Sequence, residues 1–287
     1  MREEDRVADL KKTRHARLLE RPLVKPLVAA CGGVLRRSDV LSVVHADNAR
    51  DETLSSVGAV GVLSAFDRPW HDFELKFSSW GVHSREWDQR QMSRPGGNLV
   101  VQLNFPSDHG AMMGRHLKGG DRNHFECQHH PIRLEGRPTL AWARLDIEDD
   151  VMLIEEVQCD WLRLVRQSVR SAKVQGFRRD HERLSAYDAE LSAAYGTIWP
   201  RVVMLAVLAL GVDVFGVRKV YMHQPDTGAA LKGIVGPRPP VSLYTALPER
   251  FGFSPTHKPP AFLKKLRKRA LGKLARTQKP LFWTLSL

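Results

Sequence analysis

The sequence predicts an α+β fold, a mostly antiparallel sheet backed by helices. Three observations carry that prediction. Between residues 70 and 160, apolar and polar side chains alternate in short runs, as in strands with one wet face. After Gln158 the apolar period lengthens to three or four residues, as in amphipathic helices. Strand-like runs return at 218–223 and 281–287, so strands and helices are largely segregated along the chain.

Residues 1–66 form a first region. It opens with a charged helix within 1–30 and a loop containing Pro22 and Pro26. Short apolar runs among polar turns follow, of which Leu41–His45 fits either a strand or a helix start. The α+β domain with the candidate site occupies 67–287. Phe73–Phe77 alternates apolar and charged residues, and Leu99–Phe105 follows the turn signal Pro95-Gly96-Gly97. The Gly-rich stretch Pro106–Asp121 is predicted as a long mobile loop of the kind that lines a site. Phe125–Ile132, Thr139–Ile147 and Val151–Gln158 complete this set of strands. The last two form a hairpin through Glu148-Asp149-Asp150. A turn centred on Asp149 sets Trp142 opposite Glu156, with Arg144 on the diagonal.

Beyond the hairpin, Trp161, Leu162, Val165, Val169 and Ala172 outline a helix with Asp160 as its N-cap. Further helices are expected at 181–194, at 198–211 with Pro200 in the first turn, and at 241–249.

The composition narrows the class. Over 287 residues, 43% hydrophobic and 26% charged content excludes a disordered polyelectrolyte, a collagen-like chain and a small disulfide scaffold. The three cysteines, Cys31, Cys127 and Cys159, form no CxxC pair, which predicts a cytoplasmic protein. No signal-peptide run opens the chain, and the longest apolar stretch, Val202–Val212, is too short to span a bilayer.

The net charge of +12 favours an anionic partner. Eight of the basic residues lie between Lys264 and Lys279 with no acidic residue among them, leaving 36 basic against 32 acidic elsewhere. The chain therefore reads as a nearly balanced body with one basic amphipathic helix. Lys264, Lys265, Arg267, Lys268 and Arg269 are its candidate nucleic-acid-binding residues. The alternative is a solvated face on a helix docked to the core, followed by a final strand at 281–287.

The segment richest in chemistry is Val151–Trp161. Alternation puts Glu155 on one face with Val151, Leu153 and Val157, and Glu156 with Gln158 on the other. Carboxylates at the end of an otherwise apolar, central strand make Glu155 and Glu156, with Gln158, candidate catalytic residues. The residues equally allow structural ion pairs, with Arg144 and Arg163 as partners. The cluster His124-x-x-Cys127-x-His129-His130 holds metal-ligand types but no familiar paired spacing, so no metal site is assigned. Trp80 and Trp87, with Arg85 and Arg90, are read as core aromatics ahead of a base-stacking platform.

The segment Ile154-Glu-Glu-Val-Gln-Cys-Asp-Trp161 resembles the EE-[IV]-Q-[SC]-DW segment of large polyvalent proteins of phages and mobile elements and of uncharacterised bacterial proteins. Cys159 stands where that pattern usually has Ser. Trp199-Pro200 and Leu243–Phe253 follow in similar order. The C-terminal half is also similar to the end of a GNAT acyltransferase, through the strand, helix, strand Lys219–Met222 and Leu243-Tyr244. That resemblance implies an acyl-CoA donor, a strand glutamate as base (Glu155 or Glu156) and Tyr244 as acid. It departs from the family in one respect: 159–171 contains no glycine for the pyrophosphate loop, so Arg163 and Arg166 would have to bind the cofactor by charge. Two classes stay open: a transferase-like enzyme, with GNAT-like N-acyl transfer its concrete form, and a non-catalytic nucleic-acid-binding accessory protein.

Overall fold

The computed structural model describes residues 4–13, 16–19, 28, 31, 33–36, 52–53, 73–81, 91–127, 130, 132, 134, 136–234, 240–277, 279 and 281–287. The expectations for Leu41–His45, for Arg85, Trp87 and Arg90, for His129 and for the Pro22/Pro26 loop lie outside the described residues. The fold is α+β. Its N-terminal part pairs β1 (Glu4–Arg6) with β2 (Val34–Arg36) and carries α1 (Val7–Leu10) and α2 (Ala16–Leu19). Leu10, Leu19 and Leu35 bury together against Val214 and Phe215.

The main sheet contains β3 (Glu52–Thr53), β4 (Glu74–Trp80), β5 (Asn98–Asn104), β6 (Thr139–Glu148), β7 (Val151–Gln158), β8 (Lys219–His223), β9 (Ser254–Thr256) and β10 (Phe282–Ser286). Its order is β3-β4-β5-β6-β7-β8-β10-β9. Among the described residues every pairing in it is antiparallel except β7–β8. A parallel neighbour requires a crossover, and the chain makes it with three helices. These are α5 (Asp160–Val174), α6 (Arg178–Tyr195) and α7 (Trp199–Asp213); α3 (His109–His116) and α4 (Asp121–Phe125) precede β6.

One face of the sheet is apolar. Leu99, Val101, Ala143, Ile154, Val157 and Met222 meet Trp161, Val165, Tyr187, Val203 and Val207 of the crossover helices in the main core. Helix α7 is apolar nearly all round because it lies within this core. Among the described residues no single helix is long and apolar enough to cross a membrane. The other face carries buried polar groups, among them Gln102, Arg144, Asp146, Glu155, Glu156 and His223.

Over that face pack α8 (Pro225–Lys232), α10 (Ala261–Leu266) and α11 (Lys268–Ala275), whose Leu231, Leu263 and Leu271 cluster with Leu153, Tyr221 and Phe282. A 3₁₀ turn (Val241–Tyr244) and α9 (Ala246–Arg250) stand where one helix over 241–249 was expected.

Several expectations need correction. The described residues of Phe125–Ile132 form no strand: Phe125 ends α4, where it buries against Trp161 and Tyr187. The stretch 106–121 is not all loop, because His109 and Met112, three apart, bury one side of α3. The basic tail helix is two helices, broken at Arg267.

The hairpin register also differs. Its turn is the two residues Asp149-Asp150, with Asp149 at φ 53°, and Glu148 pairs with Val151. An Asp tolerates the left-handed conformation that tight hairpin turns require. Arg144 then pairs with Glu156 and Leu145 with Ile154, so Glu155 is the extra residue of a β-bulge. Trp142 falls opposite Gln158 rather than Glu156. The bulge restarts the alternation. Val157 therefore joins Ile154 in the apolar core, and Glu155 and Glu156 both turn to the polar face.

Candidate active site

The parallel pair β7–β8 runs only from Val151↔Lys219 to Ile154↔Met222. Strand β7 continues to Gln158 while β8 ends at His223 and gives way to α8, so their pairing ends at the bulge. Two side chains bond to the β7 backbone beyond that point. Lys232 Nζ donates to the Glu155 carbonyl at 2.9 Å, and the Val157 N–H donates to Tyr244 Oη at 3.4 Å. Tyr244 is buried, which pushes its hydroxyl well above the ordinary range and keeps it protonated. Lys232 is also buried, and burial pulls its ammonium below the usual lysine range against the attraction of Glu156 and Glu155.

Glu155 is 0% exposed. Its carboxylate accepts from Ser93 N–H at 3.2 Å and from Ser93 Oγ at 2.8 Å, and meets His223 Nε2 at 3.2 Å. Burial opposes its ionisation. The hydrogen bond to His223 and the charges of His223, Lys232 and Arg144 outweigh burial and hold the carboxyl at about 2. For His223 burial dominates and holds the imidazole below its ordinary value, against the hydrogen bond and charge of Glu155.

Ser93, His223 and Glu155 do not form a nucleophile relay. Ser93 Oγ and Glu155 both meet Nε2 of the ring, while Nδ1 has no partner among the described residues. A relay needs the acid on the nitrogen opposite the hydroxyl. All three groups are at 0% exposure, so this cluster holds the sheet rather than a substrate.

Glu156 is placed differently. Its carboxylate takes Arg144 Nε at 3.0 Å, a second contact from the same guanidinium, and a bond from the Gln158 amide. Burial works against its ionisation, and the charges of Lys232 and Arg144 keep its carboxyl below the ordinary range. Glu156 and Gln158 both line a cavity of about 640 Å³, a volume suited to a small organic ligand.

The rest of that wall includes Gln91, His130 and Trp199 and, on α5, Arg163, Arg166 and Arg170. The helical repeat puts these three arginines on one side of α5. Arg163 pairs with Asp160 at 2.5 Å, and Arg166 reaches Ser192 at 3.2 Å and Asp188 at 3.6 Å. Tyr244 itself is not at this cavity; its neighbour Leu243 is. The structure thus brings Glu156, Gln158, Arg163 and Arg166 to one cavity and sets Glu155 and Tyr244 where the β7–β8 pairing ends.

Asp160 is the first residue of α5 rather than its N-cap, a position that Cys159 holds. The Asp160 side chain turns back to accept from Trp142 Nε1 at 2.9 Å, and it meets His130 Nδ1 at 2.5 Å. The basic tail residues divide as well. Lys264, Lys268 and Arg269 are exposed, whereas Arg267 donates through Nε to the Ser93 carbonyl at 2.5 Å, beneath Glu155. The Lys265 side chain lies outside the described residues.

Sequence reasoning missed Ser93, His223, Lys232 and Asp160's true role. His223 carried a signal: it sits two residues from the inward Tyr221 on a strand, so period two alone directs it to the same face. Ser93 and Lys232 carried none, since the sequence assigns no element to either segment. No protein-family model, curated protein or solved structure matches the chain.

Proposed function

We propose that the protein is an N-acyltransferase of the GNAT type, taking its acyl group from an acyl-CoA bound where the β7–β8 pairing ends. The observation that carries this reading is the one parallel strand pair among the described residues. Its ladder ends after Ile154↔Met222, one residue before β8 itself stops, near a cavity edged by a row of arginines. A pantetheine arm would take the β7 backbone groups there, the Glu155 carbonyl and the Val157 N–H, by displacing Lys232 and Tyr244 from them. Arg163, Arg166 and Arg170 offer charge to the phosphates in place of a glycine loop.

In this reading the amine nitrogen of the acceptor attacks the thioester carbonyl. The carbon–sulfur bond then breaks, and the proton lost by the amine passes through water to the Glu156 carboxylate. The Tyr244 hydroxyl protonates the departing thiolate. Glu155 anchors the bulge that aims Glu156 at the cavity.

Calorimetric titration of acetyl-CoA into the full chain tests the proposal. Saturable binding at one site is expected, weakened at least fivefold (about 1 kcal/mol) by combined Arg163→Ala and Arg166→Ala. No heat at millimolar acetyl-CoA sinks the reading.

A second reading, nucleic-acid binding, is favoured by the exposed Lys264, Lys268 and Arg269 on helices whose leucines are buried. It requires a gel shift that weakens with salt and disappears when those three are neutralised.

A further inference from the structure

One cluster lies at the edge of the cavity and takes no part in the acyl-transfer reading. Potential donor atoms of Cys127, His130 and Asp160 all lie within 4.8 Å of one another. They come from two places: Cys127 and His130 from the segment before β6, and Asp160 from the start of α5. The backbone explains the first pair. The His130 N–H bonds to the Cys127 carbonyl at 3.0 Å, which brings the two residues together.

We infer that Cys127, His130 and Asp160 form a binding site for one zinc-class transition-metal ion, with its fourth position open to the cavity that His130 lines. The donor set selects the metal. A thiolate and an imidazole favour zinc over magnesium or calcium, and a thiolate with one carboxylate neutralises a dication. The distances need little adjustment. Bonds of about 2.0–2.3 Å in a tetrahedron set donors roughly 3.3–3.7 Å apart, so the widest pair closes by only about an ångström.

The metal takes the place of the hydrogen bond between His130 Nδ1 and Asp160, and the Cys127 thiol gives up its proton to solvent on binding. The surroundings hold the ligands in place. Trp142 Nε1 donates to Asp160 Oδ2 at 2.9 Å, and Arg163 holds Oδ1 at 2.5 Å. The Trp142 ring also packs edge-on against His130, with centroids 5.2 Å apart. Support of this kind orients metal ligands and tunes their affinity. Three protein ligands with an open fourth position is the arrangement of a metal that meets a substrate rather than one that only braces a fold.

Cobalt(II) is the probe. Under reducing conditions, one equivalent added to the full chain should give a thiolate-to-cobalt charge-transfer band, and one equivalent of zinc should remove it. Cys127→Ser should abolish the band, whereas Cys159→Ser, at the same cavity but outside the cluster, should leave it. His130→Ala and Asp160→Asn should each weaken zinc binding at least tenfold in competition with a chromophoric chelator. If Cys127→Ser does not fold, wild-type protein answers: zinc should slow alkylation of Cys127, read by mass spectrometry, and leave Cys31 unchanged. The inference is overturned by an absent band at stoichiometric cobalt, by a band that survives Cys127→Ser or requires Cys159, or by equal alkylation with and without zinc.

Discussion

Glu155→Gln isolates what the bulge carboxylate contributes. The substitution keeps shape and removes charge at a group with 0% exposure. The magnitude follows from its environment. Holding the carboxyl at about 2 against an ordinary 4.5 corresponds to about 3 kcal/mol of folding free energy. Because the folded value is the lower one, that stability is fully present above the unfolded pKa of 4.5 and is lost as pH falls towards 2. The amide can still accept from Ser93 N–H, so part of the hydrogen bonding survives. Arg144 and Lys232, however, lose half of the negative charge they face, which makes the total about 2–4 kcal/mol at neutral pH. Urea unfolding of wild type and variant at pH 7, repeated at decreasing pH, measures it. The variant should unfold at lower urea with an unchanged slope, and the gap should narrow on acidification. A variant within about 0.5 kcal/mol of wild type at pH 7, or a gap that stays constant as pH falls, refutes the charged anchor.

Three further outcomes follow from the same geometry. Tyr244→Phe leaves the Val157 N–H without its partner where the β7–β8 pairing ends, costing about 1–2 kcal/mol and accelerating exchange of that amide. Arg94 holds Asp146 through two bonds, of 2.6 and 2.8 Å, also contacts Glu148, and lies over the Phe262 ring. Arg94→Lys cannot reproduce the fork, and a loss of about 2–3 kcal/mol is expected by chemical denaturation. His109 stacks on Phe105 at 3.6 Å, and burial lowers its pKa to about 3. Its ring resonances should not titrate between about pH 7 and pH 4. The neutral ring contributes stability that is present above the unfolded value of 6.5 and is lost as pH falls below it.

What the sequence revealed and what it hid separate along a physical line. Period-two and period-3.6 patterns depend only on which face is buried. They located β4, β5, β6, β7, β8 and β10 and the three crossover helices to within a few residues. The α+β class followed, and so did the docking of the basic tail through Leu263 and Leu271. Patterning failed where one residue changed the phase. The extra residue at Glu155 moved the second carboxylate to the same face as the first, and no alternation rule sees a bulge in advance.

It failed again where burial rests on polar groups. Phe125–Ile132 looks like a strand, yet its Cys127 and His130 come together beside Asp160. The pair Glu155-Glu156 was legible as chemistry, but the division of labour between them was not. That division depends on Ser93 and His223 arriving from distant segments to bond one carboxylate, with Lys232 on the backbone carbonyl of the same residue, while the other lies at the cavity wall. Two adjacent, identical side chains thus differ through the bulge and their distant partners, which local sequence does not encode.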